Sequence, residues 1–136
     1  MADPREILER SSTIAVVGIA RTTDKPSGGV PAELQRRGFR IVPVNPKAET
    51  ILGEKAYASL ADVAEPVDVV EVFRPAEEAP EIARQAVAMG ARALWLQQGI
   101  ESDEARKIAE EAGLDFVQDR CMAVESRRHD IRKTSA

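Results

Sequence analysis

The run Thr13-Ile14-Ala15-Val16-Val17, broken abruptly by Gly18, constrains this chain more than any other stretch. It shows no alternation of apolar and polar residues. A strand made from it must be buried on both faces, the situation of a parallel strand inside a sheet. A polar loop with two hydroxyls, two cations and a proline follows, and Gly28 and Gly29 then lead into a helical pattern beginning near Val30. Strand, glycine turn and helix opening make the first half of a βαβ unit, in which backbone N–H groups and a helix N-terminus face an anion. The fingerprint G-x-G-x-x-G occurs nowhere in the chain, so this is a phosphate-loop candidate without the dinucleotide signature. A glycine at a strand end also serves simply to turn the chain. What gathers around Gly18 decides between the two.

The rest of the chain alternates strand and helix. Asp3, Pro4 and Glu6 read as N-cap, first-turn proline and capping acid of a short helix over 4–9, placed across the bottom of the sheet. Val30, Leu34 and Arg37 share one face of the helix after the loop, and Gly38 stops it. A second strand, 40–44, contains Pro43, which cannot donate to a ladder and points to a sheet edge or a bulge. Residues 48–66 form a connector with an extended piece at 55–57 and a short helix capped by Ser59. A third main strand over 67–73, an amphipathic helix over 77–89, a fourth strand over 93–96, a helix from Ser102 to Gly113 and a fifth strand over 115–119 complete the pattern. Such alternation demands right-handed crossovers and gives an α/β, three-layer sandwich around a parallel five-stranded sheet. The chain is too short for the full six-stranded dinucleotide fold. The expected order is 2-1-3-4-5, with room for a short extra edge strand near Tyr57 and a switch point between the first and third strands.

At 136 residues the chain makes one domain with a core of ordinary size. Apolar residues at 43% and charged residues at 31% belong to the soluble globular class, with no run near the roughly 18 residues of a membrane span. The first residues lack the apolar centre of a signal peptide, so a cytoplasmic location is expected. One cysteine, Cys121, excludes an internal disulfide, and with one histidine it excludes a Cys/His zinc site. A net charge of -4 argues against a general nucleic-acid footprint, although Arg127, Arg128, His129, Arg132 and Lys133 make the end locally basic. Residues 1–125 are expected to form the domain, and 126–136 a flexible, solvated tail.

In a sheet of this order ligands sit beyond the carboxyl ends of the strands, so residues 18–25, 45–47, 73–75, 97–100 and 120–122 should converge. They carry Arg21, Lys25, Lys47, Arg74 and Arg120 against few acids, in a chain that is acidic overall. Such a local excess suits a polyphosphate. An NAD site places Asp or Glu after the second strand to accept from the ribose hydroxyls. Here Asn45-Pro46-Lys47 stands instead, and a cation there favours a phosphorylated ribose, as in NADP or coenzyme A. Phe73 and Pro75 offer an apolar lip for adenine or a pantetheine arm, although an aromatic at a strand end is equally a core plug. No catalytic constellation is visible. His129 has no Ser or Cys partner, and Cys121 is either a thiol near the ligand's end or a plain buried cysteine. Trp95 reads as core, and Glu71, inside a buried strand, is expected to be partly exposed or hydrogen-bonded.

With these residues in hand, the chain resembles the CoA-binding protein family of small stand-alone domains, similar to the N-terminal domain of the succinyl-CoA synthetase α subunit. The matching stretches are Ile14-Ala15-Val16-Val17-Gly18, Val42-Pro43-Val44-Asn45-Pro46-Lys47, Ile51-Leu52-Gly53-Glu54, Ser59-Leu60-Ala61-Asp62 and the strand from Val67 to Arg74. Leu94-Trp95-Leu96-Gln97 with Gly99-Ile100, and Asp119-Arg120-Cys121, complete the match over roughly residues 5 to 125. The resemblance implies a Rossmann-like domain holding coenzyme A or acyl-CoA across the switch point. Gly18, Ile19, Ala20, Arg21, Thr22 and Lys25-Pro26-Ser27 would meet phosphates, with Asn45, Pro46 and Lys47 near the phosphorylated adenosine. Phe73, Arg74 and Pro75 would border the nucleotide, and Gln97, Gly99 and Ile100 would face the pantetheine. Two departures stand out: Ser27-Gly28-Gly29-Val30 replaces a bulkier segment, and Met122 stands where a proline is usual.

The ligase's phosphohistidine domain and ATP-binding subunit have no counterpart in this chain. The implied role is therefore a non-catalytic CoA or acyl-CoA module acting as carrier, sensor or partner of a larger enzyme, with a protein partner or self-association allowed. The alternative is a small NADP-dependent oxidoreductase or NADP-responsive switch, weakened by the missing second glycine. A third reading, a regulator whose basic tail contacts nucleic acid, has only that tail in its favour.

Overall fold

The apolar run forms β1 (Thr13–Val17), hydrogen-bonded on one side to β2 (Arg40–Val44) and on the other to β5 (Val69–Val72). A computed structural model describes residues 1–134. β6 (Ala93–Leu96) and β7 (Asp115–Val117) extend the sheet to the order β2-β1-β5-β6-β7, all parallel. Counted as main strands, this is the expected 2-1-3-4-5. Ile14, Ala15 and Val16 are all fully buried because two clusters cover β1 from opposite faces. One joins Ala15, Val42, Val70, Val72 and Leu94 to α3 (Ala79–Ala88) and α4 (Asp103–Glu111). The other joins Ile14, Val16, Val69 and Trp95 to α1 (Pro4–Arg10), α2 (Pro26–Arg36) and α5 (Met122–Arg128).

The expected local signals act as read. Asp3 caps α1 by accepting from Arg5 N–H at 2.9 Å, and Ser102 caps α4 by accepting from Ala105 N–H at 3.1 Å. Pro43 lies in β2, the edge strand. The extra edge strand reduces to one parallel bridge between Tyr57 and Val44, because the preceding residues fold instead into a hairpin, β3 (Thr50–Ile51) and β4 (Glu54–Lys55). Its turn residues, Leu52 and Gly53, both have positive φ, the backbone of a tight hairpin turn.

The strands expected over 67–73 and 115–119 and the helix expected over 77–89 are shorter, at Val69–Val72, Asp115–Val117 and Ala79–Ala88, and two further boundaries differ. α2 begins at Pro26, four residues before Val30, since Lys25 is extended and its carbonyl accepts from Gly28 and Gly29 N–H at 2.9 and 2.8 Å. The chain end differs too: the boundary at 125 falls inside α5, and the residues that follow pack onto the domain. Ser126 is buried, Ile131 joins the cluster around Val16, and Lys133 lies against the first helices. Lys133 donates from its backbone to Arg37 O (2.7 Å) and from Nζ to Glu9 O (2.6 Å). Gly38 leaves the space for this, because a Cβ there would sit 2.0 Å from Lys133 O. The basic composition of the segment hid its apolar anchors; residues 135–136 of the expected tail lie outside the described residues. Among the described residues no helix is long and apolar enough to cross a membrane.

Glu71 departs from expectation in a different way. It is neither partly exposed nor hydrogen-bonded: it is fully buried between Val16 and Trp95 on the sheet, and both carboxyl oxygens lack a partner among the described residues. Burial pushes its pKa up from 4.5 to about 8, so the acid is held neutral at pH 7. The unfolded chain ionises this group near 4.5, whereas the folded chain keeps the proton up to about 8. The folded state therefore binds more protons in that window. The contribution of this one group to stability should be fullest below pH 4.5 and fall by up to about 1.4 kcal/mol per pH unit as pH rises through the window. Denaturant melts across this range should show the slope, and Glu71→Gln should flatten it; an equal slope in the variant would contradict the assignment.

Candidate functional site

Gly18 ends β1 with φ 85°, and its N–H donates to Val44 O at 3.2 Å. A Cβ on it would lie 2.8 Å from both Phe73 O and Arg74 Cδ, so β5's exit crosses directly over the glycine. The loop then closes on itself. Ala20 N–H donates to Ser27 O (3.0 Å), Thr22 Oγ1 donates to the Asp24 carboxylate, and Thr22 O rests against Gly28, where a Cβ would come within 1.7 Å. The Thr22 hydroxyl holds the Asp24 carboxyl below the usual carboxylate range. The backbone N–H groups of Ile19, Arg21 and Thr22 find no protein acceptor among the described residues. They open beside the N-terminus of α2, whose 11 residues add a dipole.

Arg21, Lys25, Lys47 and Arg74 converge as the strand-end argument requires. They line one hollow of about 520 Å³ with Gly18, Ile19, Ala20, Thr22, Ser27, Asn45 and Phe73, and no carboxylate enters that lining. Two further hollows share its walls. On the β2 side, about 670 Å³ continues past Asn45, Pro46 and Lys47 to Ser59, Leu60 and Ile82. On the β6 side, about 630 Å³ continues past Lys25, Pro26, Ser27 and Phe73 to Gln97, Ile100 and Cys121. Together they form a trough along the carboxyl ends of the sheet, positive at its middle.

Arg21, Lys25 and Lys47 are exposed and make no ion pair among the described residues. Arg74 is engaged by Glu78 in a two-pronged contact at 3.0 and 2.7 Å, which holds the Glu78 carboxyl low and the guanidinium high. Arg120 does not join the cations: it donates to Asp119 O and lines none of the three hollows. Pro75 and Gly99 also stand outside the linings. Pro75 starts the 3₁₀ turn Ala76–Glu78, and Gly99 N–H donates to the Asp119 carboxylate at 2.8 Å.

The β6 end is fixed from below. Buried Gln97 accepts from Met122 N–H at 3.2 Å, and Trp95, fully in the core as expected, donates to Arg120 O at 2.9 Å. These bonds seat half-buried Cys121 on the trough wall. His129, outside the trough linings, lies 3.5 Å from Glu125. Sequence reasoning missed Glu78, Ser59 and Arg127 as wall residues. Glu78 follows Arg74 by one helical turn, the spacing at which opposite charges meet, and that signal was legible. Arg127 was assigned to the tail.

A family model described as "CoA binding domain" matches residues 12–127. The Bacillus subtilis (strain 168) protein YneT is 39% identical over 123 residues, 90% of this chain and 91% of that one. Acetate–CoA ligase [ADP-forming] II of Archaeoglobus fulgidus is 34% identical over 100 residues, 72% of this chain but 15% of the ligase. A solved structure from Thermus thermophilus, cell-free ID.343, superposes with a TM-score of 0.88 at 38% identity, covering 94% of this chain and 99% of that chain.

The two glycines in the first turn of α2 should respond differently to a methyl group. Gly28→Ala drives Cβ into the Thr22 carbonyl and should cost about 1–3 kcal/mol while displacing the loop. At Gly29 the nearest atom is Thr23 O at 3.3 Å, and alanine's helix preference of about 1 kcal/mol works in its favour. Chemical denaturation should therefore find Gly29→Ala within about 1 kcal/mol of wild type and Gly28→Ala clearly weaker; equal stabilities would refute the close approach.

Proposed function

The chain belongs to the family of CoA binding domains, and from that footing we propose that it binds coenzyme A or acyl-CoA in the trough without catalysing a reaction by itself. The observation that carries this reading is the carboxylate-free hollow in which four cations from three separate segments meet unspent backbone amides. The residues fit the group. The loop Ile19–Thr22 with Lys25 and Ser27 takes the diphosphate, and Lys47 takes the phosphate on the ribose. The β2-side hollow takes the adenosine, and the pantetheine arm runs past Phe73 toward Gln97, Ile100 and Cys121. Arg74 borders the nucleotide from between the two hollows that it lines.

We place the protein in the cytoplasm as a carrier, a sensor or the partner of a larger enzyme. The Archaeoglobus ligase supports the last role, since the region similar to this chain is there a small part of a longer polypeptide.

Calorimetry with CoA, 3′-dephospho-CoA and NADP tests the reading. CoA should bind most tightly, and Lys47→Ala should weaken CoA by about tenfold while leaving dephospho-CoA binding and the melting temperature nearly unchanged, because an exposed cation contributes little to folding. NADP displacing CoA would instead favour a nucleotide-responsive switch. A Lys47→Ala variant with wild-type CoA affinity would remove this residue from the site. CoA species co-purifying with the protein, released by heat and identified by mass spectrometry, would report the acyl group.

A further inference from the structure

Asn45, at the carboxyl end of β2, fastens three segments at once. Its backbone N–H donates to Tyr57 O (2.9 Å), its Nδ2 donates to Ile19 O (2.9 Å), and its Oδ1 accepts from the backbone N–H of Lys47 (2.7 Å). The orientation of the amide is dictated by its partners, since a carbonyl can only accept and an amide N–H can only donate. The bond to Lys47 closes a side-chain turn across Pro46, whose ring already fixes one backbone angle. The Lys47 backbone is therefore set before any ligand arrives, and only its side chain remains to be ordered. The bond to Ile19 ties the start of the anion-facing loop to β2, beside the bond from Gly18 N–H to Val44 O. One half-buried side chain thus holds both the open amides and the cation two residues beyond it.

We propose that Asn45 is a positioning residue that couples the Gly18–Thr22 loop to Lys47, so that two phosphate-bearing parts of one ligand meet groups already in register. This rests on the CoA reading above. It stands beside the expectation that Asn45 touches the ligand: the carbonyl oxygen and one amide hydrogen are engaged within the protein, and the residue lines the middle and β2-side hollows.

The test combines ligand titration with hydrogen exchange of the ligand-free protein for wild type, Asn45→Ala, Asn45→Ser, Lys47→Ala and the Asn45→Ala/Lys47→Ala pair. Serine retains an oxygen able to accept from Lys47 N–H but is too short to reach Ile19 O. Asn45→Ala should lose most of the preference for CoA over dephospho-CoA, and the double variant should lose no more of it than Lys47→Ala. Asn45→Ser should keep that preference. Both Asn45 variants should exchange the hydrogen-bonded amides that flank the tie, Gly18 and Ala20, several-fold faster than wild type. Retained preference in Asn45→Ala, or additive losses in the pair, would overturn the coupling. Should wild type fail to bind CoA, the CoA reading falls, and exchange decides this inference: unchanged rates at Gly18 and Ala20 in both Asn45 variants overturn it, and faster rates uphold the fastening. Melting curves of Asn45→Ser guard against a folding defect in the alanine variant.

Discussion

Everything at the carboxyl edge of this sheet depends on how β1 stops. The strand is buried on both faces and cannot end by turning into solvent, so it needs a residue that reverses direction beneath β5's exit without a side chain. Gly18 supplies this, with Phe73 O and Arg74 Cδ both inside the distance at which a Cβ would be tolerated. The crossing brings the loop, the end of β2 and the end of β5 to one point. It explains how cations at positions 21, 25, 47 and 74 share one hollow while lying far apart in the chain.

The parts of this arrangement that follow from local chemistry were legible in the sequence. Strand burial, helix caps at Asp3 and Ser102, the edge position implied by Pro43 and the convergence of strand ends each express a rule acting over a few residues. What escaped depends on distant partners. Gly28 looked like part of a turn, and its actual place inside α2 is set by the approach of Thr22 O. The end of the chain looked like a basic tail because its charges outnumber its anchors, yet Ser126, Ile131 and Lys133 fit surfaces built by α1, α2 and the turn at Gly38. Arg120 looked like a fifth cation of the rim. The positive φ at Asp119 turns the chain there, and the guanidinium is spent on Asp119 O.

At Glu71 the pattern of the sequence and the physics of the fold conflict. A carboxyl in the middle of a central strand, with Val16 and Trp95 for neighbours, is affordable only when neutral. It lies on the same sheet face as Phe73 and Gln97, which follow one step further toward the trough. The floor of the trough therefore rests on a layer that keeps a proton at neutral pH, and that layer links solvent pH to the stability of the strand whose exit crosses Gly18.

Charge is distributed unevenly along the trough, and this gives it a direction. The middle hollow has four cations and no carboxylate, whereas the β2-side hollow has Glu77, Glu78 and Glu81 beside Lys47 and Arg74. Glu78 already occupies the guanidinium of Arg74, so on that side Lys47 is the cation left without an ion pair among the described residues, and it is there that the CoA reading puts the ribose phosphate. The β6-side hollow offers Phe73, Val30 and Ile100 with two glutamines, and its carboxylates are engaged, Glu33 by Arg127 and Asp24 by the Thr22 hydroxyl, a wall that accommodates a long, weakly polar arm. The CoA reading follows this distribution: it sets the anionic part at the centre, the hydrogen-bonding ring at the β2 end and the flexible arm at the β6 end.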